Sequence, residues 1–311
     1  LPHIAEGIGL EARNEVTCQS SGDFDLIQKQ TAVIHSIGIK PEDANHYRDR
    51  QTAVIWSPRS NIDLYGDTAP VTVLDEAGVQ IALGTDWMPS GSMNMLRELR
   101  CADELNSRYY GKHFSDAALW RMVTINAAFA VGAHRVVGSI RPGFVADIAI
   151  FDGRVRKDHR AVVGAGVEDV ALVLRGGKAL YGEDAVVGHP AVGGPTCETL
   201  DVCGSPKRAC VSKDLGEGNS LASLRAAGEA IYPLFFCRNT TPKNEPSCTP
   251  YRANYAAGIS ESDSDGDGIP NAQDNCPTVF NPVRPVDGEK QGDADGDGRG
   301  DACDPCPTDS S

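Results

Sequence analysis

The chain has 311 residues, 41% of them hydrophobic, with 10 cysteines and a formal net charge of −14. That size allows two or more domains around a large core, and no apolar run approaches the roughly 20 residues of a membrane helix. The acidity is local: residues 261–311 hold 13 Asp/Glu against 3 Lys/Arg, so −10 belongs to this stretch and −4 to the rest. Such a distribution, with no basic patch, argues for bound cations and against nucleic acid.

In chain order, the first signal is "LPHIAEG", which sets His3 three places before Glu6. Short apolar runs follow in "TAVIHSIGI", "QTAVIWSP" and "VQIALGTDW", each ending in a polar or catalytic type of residue. Between them lie helical stretches such as "VTVLDEAG", which Gly78 can cap, and "SDAALWRMVTINAAFAVGA" reads as one further helix begun by a Ser. Strand–helix alternation implies parallel β/α units. Functional residues at the C-terminal ends of such strands are what a (β/α)₈ barrel presents at its active face.

From Val136 the texture turns β-rich with turn glycines, in "VGSIRPGFVADIAIFDG" and "VEDVALVLRGGKALYGEDAVV". A Gly/Pro linker, "VGHPAVGGPTC", leads into a cysteine-rich segment with a helix candidate at "SLASLRAAGEAIYPLFF". Four regions result: 1–135 as β/α units, 136–190 as part of a β-sandwich, 191–257 as the cysteine-rich segment, and 258–311 as the acidic tail. Eight of the cysteines lie from residue 197 onward. They read as disulfides of an oxidising compartment rather than a zinc cluster, because the spacing and His partners of such a cluster are missing. The connectivity of Cys197, Cys203, Cys210, Cys237 and Cys248 stays open, and their odd number leaves Cys306 or another chain as a candidate partner.

His3, His35 and Asp86 stand at three successive strand ends with Glu6 beside the first. Imidazole nitrogen and carboxylate oxygen suit zinc or a similar divalent ion, and an open coordination position lets the ion acidify water. A carboxylate beside the metal can take the water's proton, and a nearby His can polarise the scissile group. These residues describe a hydrolytic site for a small-molecule substrate.

The runs "HIAEG", "AVIHSIGI", "WSPRSNIDLYGDTAPVTVLDEAGVQIALGTDW" and "INAAFAVGAHRVVGSIRPGFVADIAIFD" resemble the amidohydrolase superfamily, in its deaminase/chlorohydrolase branch, over about residues 1–185. The resemblance implies a divalent metal, zinc first, with His3 as a ligand and Asp86 as both ligand and general base. It makes Glu6 a proton shuttle or substrate-contacting acid and His35 the residue that orients water or substrate. Ser60 and Asn61 shape the pocket rim, and Trp87 lines the pocket or packs beside it. The family's first strand carries His-x-His, which none of the seven histidines here forms. The expectation is therefore an α/β chain holding the C-terminal half of a (β/α)₈ hydrolase barrel, lacking its N-terminal half and inactive alone.

In the tail, "DSDGDG" at 263–268 recurs as "DADGDG" at 293–298, a period of 30 residues. Asp263, Asp265, Asp267, Asn271 and Asp274 fall where a calcium loop places oxygen ligands, with Gly268 at the turn. Asp293, Asp295, Asp297, Asp301 and Asp304 repeat the register around Gly298. With "DNCPTVFNP" and "GDACDPC" in place of flanking helices, the tail resembles thrombospondin type 3 repeats, which implies a Cys276–Cys303 disulfide and bound calcium. Both fit a secreted or cell-surface location. The competing expectation is a calcium-dependent adhesion protein carrying a non-catalytic amidohydrolase remnant.

Overall fold

The computed structural model describes residues 1–21 and 24–310. It divides into two compact units, one of residues 1–134 with 245–311 and one of residues 135–244.

The first unit is built on a four-stranded sheet of β1 (His3–Ile4), β2 (Ala32–His35), β3 (Ala53–Trp56) and β4 (Ile81–Leu83), all parallel and in chain order. The register sets His3 opposite Ile34, Ala32 opposite Ala53 and Val54 opposite Ile81. Parallel strands need crossovers, and helices supply them. They are α1 (Leu10–Gln19), α2 (Pro41–Arg50), then α3 (Pro58–Tyr65) with α4 (Val71–Glu76). Helices on the faces bury the strands, which is why "AVIH", "AVIW" and "IAL" read as unbroken apolar runs. Val33, Val54, Trp56 and Leu83 are all buried. Pro41 starts α2 with its φ already set, and Asp43 then accepts the Lys40 backbone N–H at 3.0 Å.

Three more helices follow: α5 (Met95–Arg108), α6 (Asp116–Met122) and α7 (Ile125–Ala130). The single helix expected over 115–133 is broken at Val123–Thr124, where the Thr124 hydroxyl donates to the Trp120 carbonyl at 2.9 Å. A β-branched pair with a hydroxyl that competes for helix carbonyls ends the turn. Beyond the break Asn126 Nδ2 donates to the Ile81 carbonyl at 2.8 Å, tying α7 to β4.

The described residues of 245–310 contain no α-helix or named strand, yet they belong to this unit. Cys248 is bonded to Cys101 of α5, so the partner left open in the sequence is neither Cys306 nor another chain. Cys18 and Cys306 are free and exposed. Tyr109, Phe280 and Tyr255 stack edge to face, with ring centroids 5.7 and 5.3 Å apart. Arg284 reaches back to donate to the carbonyls of Ile37 and Ile39. The tail borrows a core it does not possess.

The second unit holds one antiparallel sheet, in spatial order β5 (Ile148–Phe151), β6 (Val170–Arg175), β7 (Lys178–Glu183), β9 (Ser205–Ala209) and β8 (Glu198–Val202). Gly176 and Gly177, at φ of 56° and 78°, make the two-residue turn between β6 and β7. Where the sequence suggests a sandwich part ending at 190, the structure carries one sheet through that boundary. The Cys197–Cys210 and Cys203–Cys237 disulfides fasten its far edge. The helix expected over 220–236 ends at Gly228.

Candidate metal centre at the strand ends

Because the four strands run parallel, their C-terminal ends open on one side, and the predicted site residues gather there. His3 lies on β1, Glu6 two residues after it, His35 ends β2, and Asp86 follows β4 by three residues. His35 Nε2 is 3.0 Å from His3 Nδ1 and 3.5 Å from Glu6 Oε2, while His3 Nδ1 is 3.1 Å from the same oxygen. Two imidazole nitrogens and a carboxylate oxygen therefore converge within 4.8 Å of one another. Asp86 stands outside this trio, its Oδ2 3.8 Å from His35 Nε2 and its Oδ1 accepting the Trp87 N–H at 2.7 Å.

The backbone is bent to make this arrangement. Ala5, His35, Ser36 and Asp86 have φ of 53°, 76°, 54° and 54°. Side chains other than glycine occupy that region rarely and at a cost of about 1–3 kcal/mol each, and strain of this kind clusters at functional sites. His35 is almost fully buried, and burial lowers its pKa against the opposing pull of Glu6 and Asp86. The imidazole is held neutral, the form that ligates a metal.

Ser60 and Asn61, expected on a pocket rim, are fully buried in α3. Ser60 Oγ meets Ser90 Oγ at 3.1 Å, and Asn61 lies against His35, favouring its protonated form. Trp87 is 72% exposed. Two residues carry no signal in the sequence. Tyr65, the last residue of α3, donates its hydroxyl to Glu6 Oε1 at 3.1 Å, and burial next to that carboxylate pushes its own pKa up to about 12. Glu98 is wholly buried in α5, accepts the Arg59 N–H at 3.1 Å, and is pushed up to about 7 by desolvation. A Glu in the first turn of a helix reads as an ordinary dipole partner, so only the packing sets it apart.

The acidic tail repeats its internal bonding as faithfully as its sequence. Asp263 accepts the Gly266 and Gly268 N–H groups, and Asp293 accepts those of Gly296 and Gly298. Asp265 takes the Asp267 N–H and Asp295 that of Asp297. Asp267 accepts the Ile269 N–H and Asp297 that of Arg299. Asn271 and Asp301 each close their loop by accepting a backbone N–H, from Ser264 and Ala294. Asp274 and Asp304 accept those of Cys276 and Cys306. Each loop holds three carboxylates within 4.8 Å of one another. Asp265 is fully buried with Oδ2 unpartnered, and burial beside Asp267 and Asp274 raises its pKa to about 8. An orphaned buried carboxylate oxygen among like charges is what a hard cation relieves. Cys276 and Cys303 are bonded, as the resemblance implied.

Comparison with known proteins bears on both regions. Residues 11–180, more than half of the chain, match the Amidohydrolase family, and residues 259–284 match the thrombospondin type 3 repeat. A 5-methylthioadenosine/S-adenosylhomocysteine deaminase of Clostridium tetani is 28% identical over 158 residues, covering 48% of this chain and 37% of the deaminase. The protein of that name from Teredinibacter turnerae is 34% identical over 137 residues, covering 43% of this chain and 31% of its own. A crystal structure of an adenosine deaminase from Xanthomonas campestris with bound zinc superposes with a TM-score of 0.50 at 22% identity. It covers 57% of this chain and 44% of that one, and likeness at this identity concerns the fold. The chain spans about a third of the length of the curated relatives it matches.

Proposed function

The chain belongs to the amidohydrolase family, and on that premise we propose that it contributes the strand-end half of a metal-dependent hydrolase site that cleaves a C–N bond other than a peptide. The observation that carries the proposal is the convergence of His3, Glu6 and His35 at the ends of parallel strands. The donor set fits a divalent metal, zinc first: two imidazole nitrogens face each other at 3.0 Å with a carboxylate against both. Such an ion supplies Lewis acidity that lowers the pKa of water.

In this reading His3 and His35 would present ring nitrogens to the ion, with Asp86 nearby as ligand and general base. Glu6 holds or passes a proton at Oε2, while Tyr65 fixes its other oxygen. Ser60 and Asn61 support the site from α3 rather than touching substrate. An aminated heterocycle is the proposed substrate class, which the names of the deaminase relatives support. The sheet is proposed as the C-terminal half of a (β/α)₈ barrel whose His-x-His ligands this chain lacks, so the chain by itself is expected to be inactive. Both acidic loops are proposed to hold calcium, and four disulfides support an extracytoplasmic location. A second reading, a calcium-dependent adhesion or structural protein with a non-catalytic remnant, draws on the doubled acidic loop.

Zinc binding by equilibrium dialysis, paired with ammonia release from aminated purines, tests the proposal. His3→Ala and His35→Ala are each expected to weaken zinc binding by about tenfold or more. Zinc affinity unmoved by either substitution would remove the metal-centre reading and favour the adhesion protein. Ammonia release at enzymatic rates from this chain alone would refute its proposed incompleteness.

A further inference from the structure

The first acidic loop lies at one end of a continuous set of contacts that reaches Glu6. Gly268, at φ 93°, is pressed against the Asn254 carbonyl so closely that any Cβ there would collide with it. Tyr255, next in the chain and 2% exposed, donates its hydroxyl to the Gly66 carbonyl at 2.9 Å. The Tyr251 N–H donates to that same carbonyl at 3.0 Å. Gly66, at φ 72°, is the residue that ends α3, its N–H donating to the Ile62 carbonyl at 2.8 Å. A side chain at Gly66 would strike the Tyr251 carbonyl, so the tail backbone lies directly on the end of this helix. Tyr65, immediately before, holds Glu6 through its hydroxyl.

At the other end of these contacts, Asp263, Asp265, Asp267 and Asp274 crowd one loop, and buried Asp265 Oδ2 has no partner. Without a cation the loop is loosened by its own charges. With one, the carboxylates are gathered, and the strand of chain bearing Asn254 and Tyr255 is held where Gly268 fits it. We propose that calcium in the first acidic loop locks the last turn of α3 through Tyr255 and Gly66, and thereby holds Tyr65 against Glu6. The tail is then a calcium-operated brace for the hydrolytic residues rather than an independent stalk. This inference rests on the reading of that loop as a calcium site.

The linkage is quantitative. If the end of α3 opens only when the loop releases its ion, exchange of the Gly66 and Tyr251 amides slows by the factor one plus calcium over Kd. The experiment measures calcium binding to the whole chain by calorimetry and amide hydrogen exchange at these two positions, after stripping with a chelator and again with calcium restored. At free calcium about ten times Kd, wild type is expected to show about tenfold slower exchange. Asp265→Asn should lose that slowing while the second loop still binds calcium. Tyr255→Phe should retain binding at both loops, with slowing reduced to about threefold or less at ten times its own Kd.

Calcium binding with unchanged exchange at Gly66 in wild type would overturn the inference and leave the calcium sites standing. So would full slowing in Asp265→Asn, which would assign the effect to the second loop. A chain that binds no calcium would overturn the inference together with the reading of the loops.

Discussion

Residues 1–134 and 245–311 share one compact unit and are ordered by opposite means. In the first, apolar strands and helix faces remove their own surface from water, so Ile37, Ile39, Leu74 and Leu105 are inaccessible. Among the described residues of the second there is no regular element longer than a turn of 3₁₀ helix. Its order comes from Asx-type bonds, glycine turns, one internal disulfide, and the Phe280 ring set edge to face with both Tyr255 and Tyr109. A tail of so many acids cannot bury enough apolar surface to offset its conformational entropy. It is ordered by covalent ties and by a neighbour's core. The difference teaches that a boundary read from composition marks a change in chemistry and need not mark a change in folding unit.

Three perturbations test that contrast. The largest effect is expected from Cys101→Ser with Cys248→Ser, which frees a loop of 147 residues. In the chain-entropy model that loss is about 5 kcal/mol, read as a fall in the denaturant midpoint of the unit. A midpoint that stays put would mean the tail is held by its noncovalent contacts alone.

Phe280→Ala comes next. Phe280 is buried between Tyr109 and Tyr255, and its N–H donates to the Tyr109 carbonyl at 2.7 Å. Truncating a buried phenyl ring costs about 3–5 kcal/mol, and here the loss should appear in the melting of α5 as well as the tail. Melting of the tail alone would restore the picture of two separate regions.

Glu98→Gln has the smallest expected effect and is seen in the pH dependence. Burial raises the Glu98 carboxyl from an ordinary 4.5 to about 7, so the folded chain keeps a proton that the unfolded chain releases between those values. Stability should therefore fall as pH rises from 4.5 to 7 and level off above, by about 2–4 kcal/mol in total. Unfolding at pH 5 and pH 8 should show this slope in wild type and lose it in the variant. An unchanged slope would place the titrating group elsewhere.

Much of this molecule is legible in the chain. The runs "AVIH", "AVIW" and "IAL" announce buried parallel strands because a strand covered by helices on both sides has two apolar faces. His3, Glu6, His35 and Asp86 could be picked out because strand ends are few and ligand types at or just after three of the four, β1, β2 and β4, are rarer still. The acidic loops declare themselves through register, since two copies of alternating Asp with glycine at the same place have one economical explanation. Tyr65 and Glu98 could not be found this way, for their residue types and neighbours are ordinary.

What the sequence determined by itself is local: which segments become strands, where glycine must turn the chain, and which side chains carry ligand chemistry. Each depends on residues a few places apart, whose steric and polar preferences act before any distant contact forms. The tertiary structure alone decided the partner of Cys248, the exposure of Trp87, and the seating of Tyr255 on Gly66. Those outcomes are set by packing between segments far apart in the chain, 147 residues in the case of Cys101 and Cys248. Packing of that kind depends on shape and solvent exclusion, which a linear pattern does not encode.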